Sequence, residues 1–276
     1  MVSVSNLTRR QRYNQQLKRR SLVISGLSTL LVLACIILLV PLAPGWSAVK
    51  ASFFNWDIFS RTFPKLLSAF VVDLKIFLWS APLIFVLSLA IALARSTTRP
   101  ALFPLRIFGA LYTDVLRGVP VILLVYLIGF GIPGLGLPRP YNSPYIWGTV
   151  ALVLGYSAYV AEVFRAGIDS VHSSQSAASR SLGLSEAATM RYIILPQAIR
   201  RQVPALMNFV IALLKDVALL SFIGPIEVLR QANVYKSLMA NFTPYVGAAV
   251  IFLCVTIPIT RYADYLLAKQ RRERIA

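Results

Sequence analysis

Acid, histidine and cysteine are scarce in this chain: ten Asp or Glu, one His and two Cys among 276 residues. With a single histidine, and no grouping of His, Cys and carboxylate at metal-ligand spacing, the sequence argues against a hydrolytic metal centre. No G-x-x-x-x-G-K-[ST] occurs, so the chain has no P-loop with which to hold ATP. His172, between Val171 and two serines, reads as an ordinary polar loop residue. The scattered Ser, Thr and Asn have no base beside them to activate them. Cys35 and Cys254 fall inside apolar runs, where packing is the expected role and a disulfide framework is not. Charge of either sign is thin too, at 14% against about 25% for soluble domains. A hydrophobic fraction of 57% and a mean hydropathy of +0.70 point away from a soluble fold.

What the chain has in quantity is long apolar sequence. Residues 21–43 and 76–94 are uncharged and reach the roughly 20 residues needed to cross the hydrocarbon core of a bilayer. Further candidates lie near 107–131, 146–166, 203–223 and 244–264, which gives an all-α membrane protein of about six spans. The net charge of +18 is distributed to match. Arg9, Arg10, Arg12, Lys18, Arg19 and Arg20 precede the first span, and Arg95, Arg99 and Arg106 follow the second. Arg165, Arg180, Arg191, Arg200 and Arg201 follow the fourth, and Arg261, Lys269, Arg271, Arg272 and Arg274 close the chain. All fall on one side of a six-span arrangement, which is then the cytoplasmic side, with both termini there. This placement argues for a membrane partner and against nucleic acid. At about 23 residues the first run exceeds a signal-peptide core and reads as an uncleaved anchor. Trp46, Phe53, Phe54, Trp56, Phe59 and Phe63 suit an external segment lying in the membrane interface.

Between the fourth and fifth spans lies a polar insert, Ser170 to Pro204. Gln175 to Leu182 is helix-compatible, Gly183 can take the left-handed conformation that ends a helix, and Ser185 can cap a second helix with Glu186 in its first turn. Pro196 is expected to stop or bend that second helix. Gly183 is followed by nine residues, then Ile193, one residue, and Leu195-Pro196.

That spacing resembles the cytoplasmic EAA loop of bacterial ABC-importer permeases. LRGVP (116–120), AYVAEVFRAGIDSV (158–171), LGLS (182–185), YIILPQAIRRQVPALMN (192–208) and LLKDVALLSFIG (213–224) look like the polar-amino-acid branch of type I importers, from about Phe63 to the C-terminus. Two positions depart from the pattern. Counting back from Gly183, the family's Glu-Ala-Ala falls on Ala177-Ala178-Ser179, so its glutamate is missing, and the literal Glu186-Ala187-Ala188 is out of register. Val217 stands where Thr is frequent. The resemblance implies a five-helix core with an added N-terminal helix, divided as a basic tail (1–20), the added helix and external segment (21–66), the permease domain (67–265) with its coupling loop (168–202), and a second basic tail (266–276). It implies ATPase docking through Ser174, Gln175, Ala177, Ala178, Ser179, Leu182, Gly183 and Leu184. It further implies two copies of an ATPase that binds ATP and Mg, a second permease subunit, an extracytoplasmic amino-acid-binding protein, a bacterial inner-membrane location, and no cofactor in this chain.

Charges inside the spans cost at least about 2.5–3.5 kcal/mol each on insertion scales, so each needs a partner or a purpose. Asp114, Arg117, Glu162 and Asp216 stand out. Asp114 and Arg117, three apart, can meet on one helix face. Asp216 and Lys215 lie about 100° apart and pair poorly, so Asp216 faces something else. Gly118 and Pro120 are expected to break helical regularity. The resemblance implies that these four charges lie near the translocation pathway of a zwitterion. Asp73 and Lys75, near the outer end of the second span, suit an interface that docks a binding protein, and surface charges snorkelling there are the stronger reading. A secondary transporter or channel without an ATPase is the alternative, but it would need ion-coupling charges or inverted repeats that the sequence does not present.

Overall fold

The structure, a computed structural model, describes residues 9–273. Residues 1–8 of the basic tail and Arg274 lie outside the described residues, as do the side chains of Arg9, Arg10, Arg12, Lys18, Arg19, Lys269, Arg271 and Arg272. The chain divides into two units, Met1–Asn55 and Trp56–Ala276.

In the first unit, α1 (Arg9–Leu39) contains most of an apolar stretch, Arg20–Leu42, long enough to cross a membrane. Pro41, which has no N–H to continue the ladder, sits in a tight turn at Val40–Leu42. A short helix α2 (Trp46–Phe53) follows, with the Trp46 and Phe54 rings 6.4 Å apart.

The second unit opens with α3 (Trp56–Ser96), whose 41 residues span about 60 Å, twice the hydrocarbon thickness of a bilayer. The expected external segment is therefore part helix α2 and part the first turns of α3, where Trp56, Phe59 and Phe63 stack in sequence. The buried positions of α3, among them Thr62, Leu66, Phe70, Asp73, Ile76, Ser80, Ile84, Ser88 and Ile91, recur every three or four residues and define one continuous inward face.

The expected third span is not one helix. It is α4 (Phe103–Gly118) and α5 (Val121–Gly131), bent by 102°. Pro120 supplies the break, since it can donate no hydrogen bond and pushes Val119 into the extended conformation seen there. α6 (Pro144–Asp169) runs through the middle of the unit and packs against α3, α4, α5 and α9. Its buried residues include Gly148, Ala151, Gly155, Ser157, Ala158 and Ala161, small side chains that let helices approach closely in a membrane.

The polar insert carries α7 (Ser173–Ser181) and α8 (Glu186–Thr189). Pro196 does not stop the second helix. A π-helical stretch, Met190–Ile194, joins α8 to α9 (Leu195–Asp216), and the wider turn accommodates a proline at the start of α9. A tight 3-10 run, Val217–Phe222, completes this span. α10 (Val228–Met239) and α11 (Thr243–Glu273) end the fold. Among the described residues, five helices are long and apolar enough to cross a membrane, and six when the bent pair is taken as one.

Two apolar clusters hold the second unit. The larger gathers Ile84, Val125, Leu152, Val160, Ile194, Leu213 and Leu220 from α3, α5, α6 and α9 with its flanking turns. The smaller joins Leu66 and Phe70 of α3 to Val228 and Ala232 of α10 and Ala248 and Ile251 of α11. Cys35 and Cys254 are both exposed, so the expected packing role is not met within the chain. Leu152 is fully buried in the larger cluster. Leu152→Ala is expected to cost about 2–5 kcal/mol, seen as a lowered thermal midpoint of the detergent-solubilised chain.

Candidate functional site

The loop between α6 and α9 is built from local backbone rules. His172 caps α7, its Nδ1 accepting the Ser174 N–H at 3.2 Å, so it is more than the loop residue expected. At the other end, the Gly183 N–H bonds the Arg180 carbonyl at 2.9 Å and the Leu184 N–H bonds the Ser179 carbonyl at 3.1 Å. This paired pattern is the Schellman motif, and it needs a residue at positive φ after the helix; Gly183 has φ +77°. Ser185 then caps α8, accepting the Ala188 N–H at 3.2 Å. The result is a rigid two-helix protrusion.

Its exposed face mixes small and apolar side chains with Arg180. Leu182 is 81% exposed, and Ser174, Gln175, Ala177, Ala178 and Gly183 are exposed with it. Leu184 is half-buried, and Ser179 is buried, its hydroxyl donating to the Gln175 carbonyl; these two brace the helix from within. Glu186 has a role beyond its helix end. Its carboxylate accepts from the Thr98 hydroxyl at 2.8 Å and the Arg99 Nε at 3.2 Å, tying the loop after α3 to α8. Nothing local in the sequence marks this contact, which joins positions far apart in the chain.

A charged network lies at the adjoining ends of α3, α4 and α6. The Glu162 carboxylate of α6 meets Arg95 of α3 at 2.7 Å, Arg117 of α4 at 3.8 Å and Arg165 of its own helix. Arg95 also donates to the Thr113 hydroxyl at 2.7 Å, and Arg165 reaches Asp169 at 2.5 Å. Gly109 makes room for this, because a Cβ there would lie 2.9 Å from the Arg95 Cγ. From the end of α6 the connection continues, as Arg201 of α9 donates to the Ser170 carbonyl.

The four span charges singled out from sequence are thus partly brought together. Arg117 and Glu162 meet, and Arg117 also lies 5.8 Å from the Tyr159 ring centre. The expected Asp114–Arg117 pair does not form: Arg117 turns inward to Glu162, while Asp114 is exposed beside exposed Leu111 and Val115. Asp216 stands apart, half-buried, accepting from the Tyr156 hydroxyl at 2.5 Å, in keeping with its poor geometry toward Lys215. Asp73 is not a snorkelling surface charge but fully buried, because the carboxylate accepts the Val228 N–H at 3.1 Å. Arg95 and Tyr156 were not legible as site residues, since each finds its partner only through tertiary packing.

Two measurements check this arrangement. Glu162→Ala strands the arginines around it and is expected to cost about 3 kcal/mol of stability, while Asp114→Asn leaves the thermal midpoint unchanged. Gly183→Val, placing a β-branched residue at positive φ, is expected to disorder the α7–α8 turn, read as faster protease cleavage there, whereas Glu186→Ala loses an exposed ion pair worth about 0–1 kcal/mol.

Residues 89–272 match the family of binding-protein-dependent transport system inner membrane components. Among curated relatives, the probable glutamine ABC transporter permease protein GlnM of Bacillus subtilis is 36% identical over 183 residues, 66% of this chain and 82% of its own. The arginine transport system permease protein ArtQ of the same organism is 32% identical over 208 residues, covering 73% and 92%. A solved amino acid ABC transporter, crystallised with histidines, superposes with a TM-score of 0.69 at 32% identity, covering 78% of this chain and 98% of that one. The methionine transporter MetNI, at 18% identity and a TM-score of 0.63, shares the fold. With the loop, the bent span and the helix order all in place, the chain belongs to the binding-protein-dependent transport system inner membrane components, the permease subunits of ABC importers.

Proposed function

We propose that this permease carries a polar amino acid inward across a bacterial cytoplasmic membrane, driven by a separate ATPase docked on the α7–α8 protrusion. The observation that carries the reading is that protrusion: a capped helix, a Schellman turn and a second capped helix, presenting an exposed Leu182 and Ala177-Ala178 at the family's spacing. Amino-acid permeases of glutamine and arginine systems among the relatives support the substrate class.

Two ATPase copies bind ATP and Mg and push the protrusion as a body when they close. The push reaches the spans by a physical route: Ser170 to Arg201, Arg165 to Asp169, and Glu162 to Arg95 and Arg117. Glu162 serves as the anion that joins these parts. Arg117, 40% exposed despite its pairing, and Asp216, with Tyr156 on one oxygen, supply a donor for a substrate carboxylate and an acceptor for its ammonium. Asp114, an exposed charge among apolar neighbours, requires cover that lipid does not provide, and a second permease subunit supplies it. An extracytoplasmic binding protein delivers the substrate.

Copurification tests the whole reading: a P-loop ATPase that travels with the chain and whose hydrolysis rises with a loaded amino-acid-binding protein supports it. Amino-acid uptake by the chain without any ATPase would overturn it. Asp216→Asn is expected to weaken uptake roughly ten- to a hundredfold with the ATPase still bound. Both termini are cytoplasmic in this reading, so alkaline-phosphatase fusions after Arg20 and at Ala276 should be inactive, and activity at either refutes the orientation.

A further inference from the structure

Away from the loop, two acidic side chains are removed from solvent altogether. Asp73 of α3 and Glu227, which caps α10, are both 0% exposed, and Asp73 accepts the N–H of Val228, the residue next to Glu227, which makes the two carboxyl groups neighbours. Both Glu227 oxygens already accept backbone donors, the Leu229 N–H at 2.8 Å and the Arg230 N–H at 2.6 Å. Asp73 Oδ2 accepts the Val228 N–H, while its Oδ1 is buried with no donor. Two carboxylates so placed repel strongly, and in such pairs one holds a proton. We propose that Asp73 and Glu227 form a binding site for a single proton, carried on Asp73 Oδ1 and donated to the Glu227 carboxylate, which fastens α3 to α10.

The oxygen count assigns the proton. Protonation turns the one orphaned oxygen into a donor and leaves Glu227 ionised, where the Leu229 and Arg230 amides and the positive helix end favour a single negative charge. No cation does this work: among the described residues neither carboxylate has an ion pair. Charged or titratable side chains on the packed elements include Lys65 and Lys75 of α3, Arg230, Tyr235 and Lys236 of α10, and Tyr245 of α11, and none of them forms an ion pair with either carboxylate. Lys75 and Arg230 are exposed, and Lys236 lies against the Phe242 ring.

The folded chain then keeps a proton that the unfolded chain releases at ordinary carboxylate pH, so stability falls as pH rises until the pair gives its proton up. Burial and the negative neighbour raise the pair's hold on its one proton above the ordinary carboxylate range, so the window opens above that range. The site stands independently of the transport reading, because its test is stability.

Thermal unfolding of the full chain in detergent, followed by tryptophan fluorescence from pH 6 to 9, tests it. Asp73→Asn replaces the O–H donor by an N–H that no base removes. The midpoint of the natural chain is expected to fall relative to Asp73→Asn by about 3 °C per pH unit. Glu227→Gln turns an NH2 toward a backbone N–H and is expected to lower the midpoint at every pH. Parallel pH curves for the natural chain and Asp73→Asn overturn the proposal, as does a stable Glu227→Gln beside a collapsed Asp73→Asn. Infrared spectroscopy of the unsubstituted protein gives a check free of folding defects. A protonated-carboxyl stretch at pH 7 that vanishes on raising the pH supports the site, and its absence at pH 7 refutes it.

Discussion

The Glu162 carboxylate is the constraint on which the functional half of this fold turns. It is one anion held by arginines from three helices, at 2.7 Å from Arg95 and 3.8 Å from Arg117, with Arg165 a turn away on its own helix. With a side-chain exposure of 23%, removing any partner leaves charge in poor solvent, so the arrangement is held in one geometry. Arg117 is thereby fixed at the C-terminal end of α4, where the helix dipole favours a cation, and the chain must turn immediately afterwards. The 102° bend that Pro120 imposes comes directly after it. An apolar pair in place of Glu162 and Arg117 would leave α4 free to slide; the ionic clamp does not.

The same anion sits one step from the loop. Arg165 lies between Glu162 and Asp169, and Ser170 accepts from Arg201, so α6 and α9 are tied at the two points where the protrusion leaves and rejoins the spans. Rigidity in the protrusion itself comes from main-chain satisfaction. Both helices have side-chain N-caps, His172 and Ser185, and the turn between them bonds its own carbonyls. The π-helical stretch Met190–Ile194 is the exception, since its wider turns are weaker and commonly mark places where a helix gives. Leu182 therefore sits on a turn whose main-chain groups are satisfied, in a loop that also contains one π-helical stretch.

What the sequence disclosed and what it hid divide along physical lines. Gly183 and Ser185 were legible because positive φ and helix capping are decided within a few residues. The six apolar segments were legible because the bilayer demands length. The continuation of the second loop helix past Pro196 was not, because a π turn removes the conflict that normally makes proline a stop. His172 escaped notice as a cap because imidazole is not among the usual capping side chains. The first turns of α3 read as an interfacial segment from aromatic content, whereas Phe63, Leu66 and Phe70 are packed in or against the smaller apolar cluster with α10 and α11. Asp114 and Arg117 have the spacing of a pair, and only the position of α6 decides that Arg117 goes elsewhere.

Asp73 carries the same lesson to its sharpest point. Read along the chain, a carboxylate two residues from Lys75 at the end of an apolar run is a surface charge. Its partners lie 155 residues away, at the start of α10, and the backbone amide of Val228 is a donor that no side-chain pattern reveals. Yet the adjacent Glu227 is unusual on local grounds, being a long acidic side chain at an N-cap where shorter ones are preferred. An acidic residue that caps a helix and is also fully buried needs a further donor brought to it from elsewhere in the fold. In a chain with ten acidic residues, a buried carboxylate with no local partner is one whose contact lies far along the sequence, as that of Asp73 does.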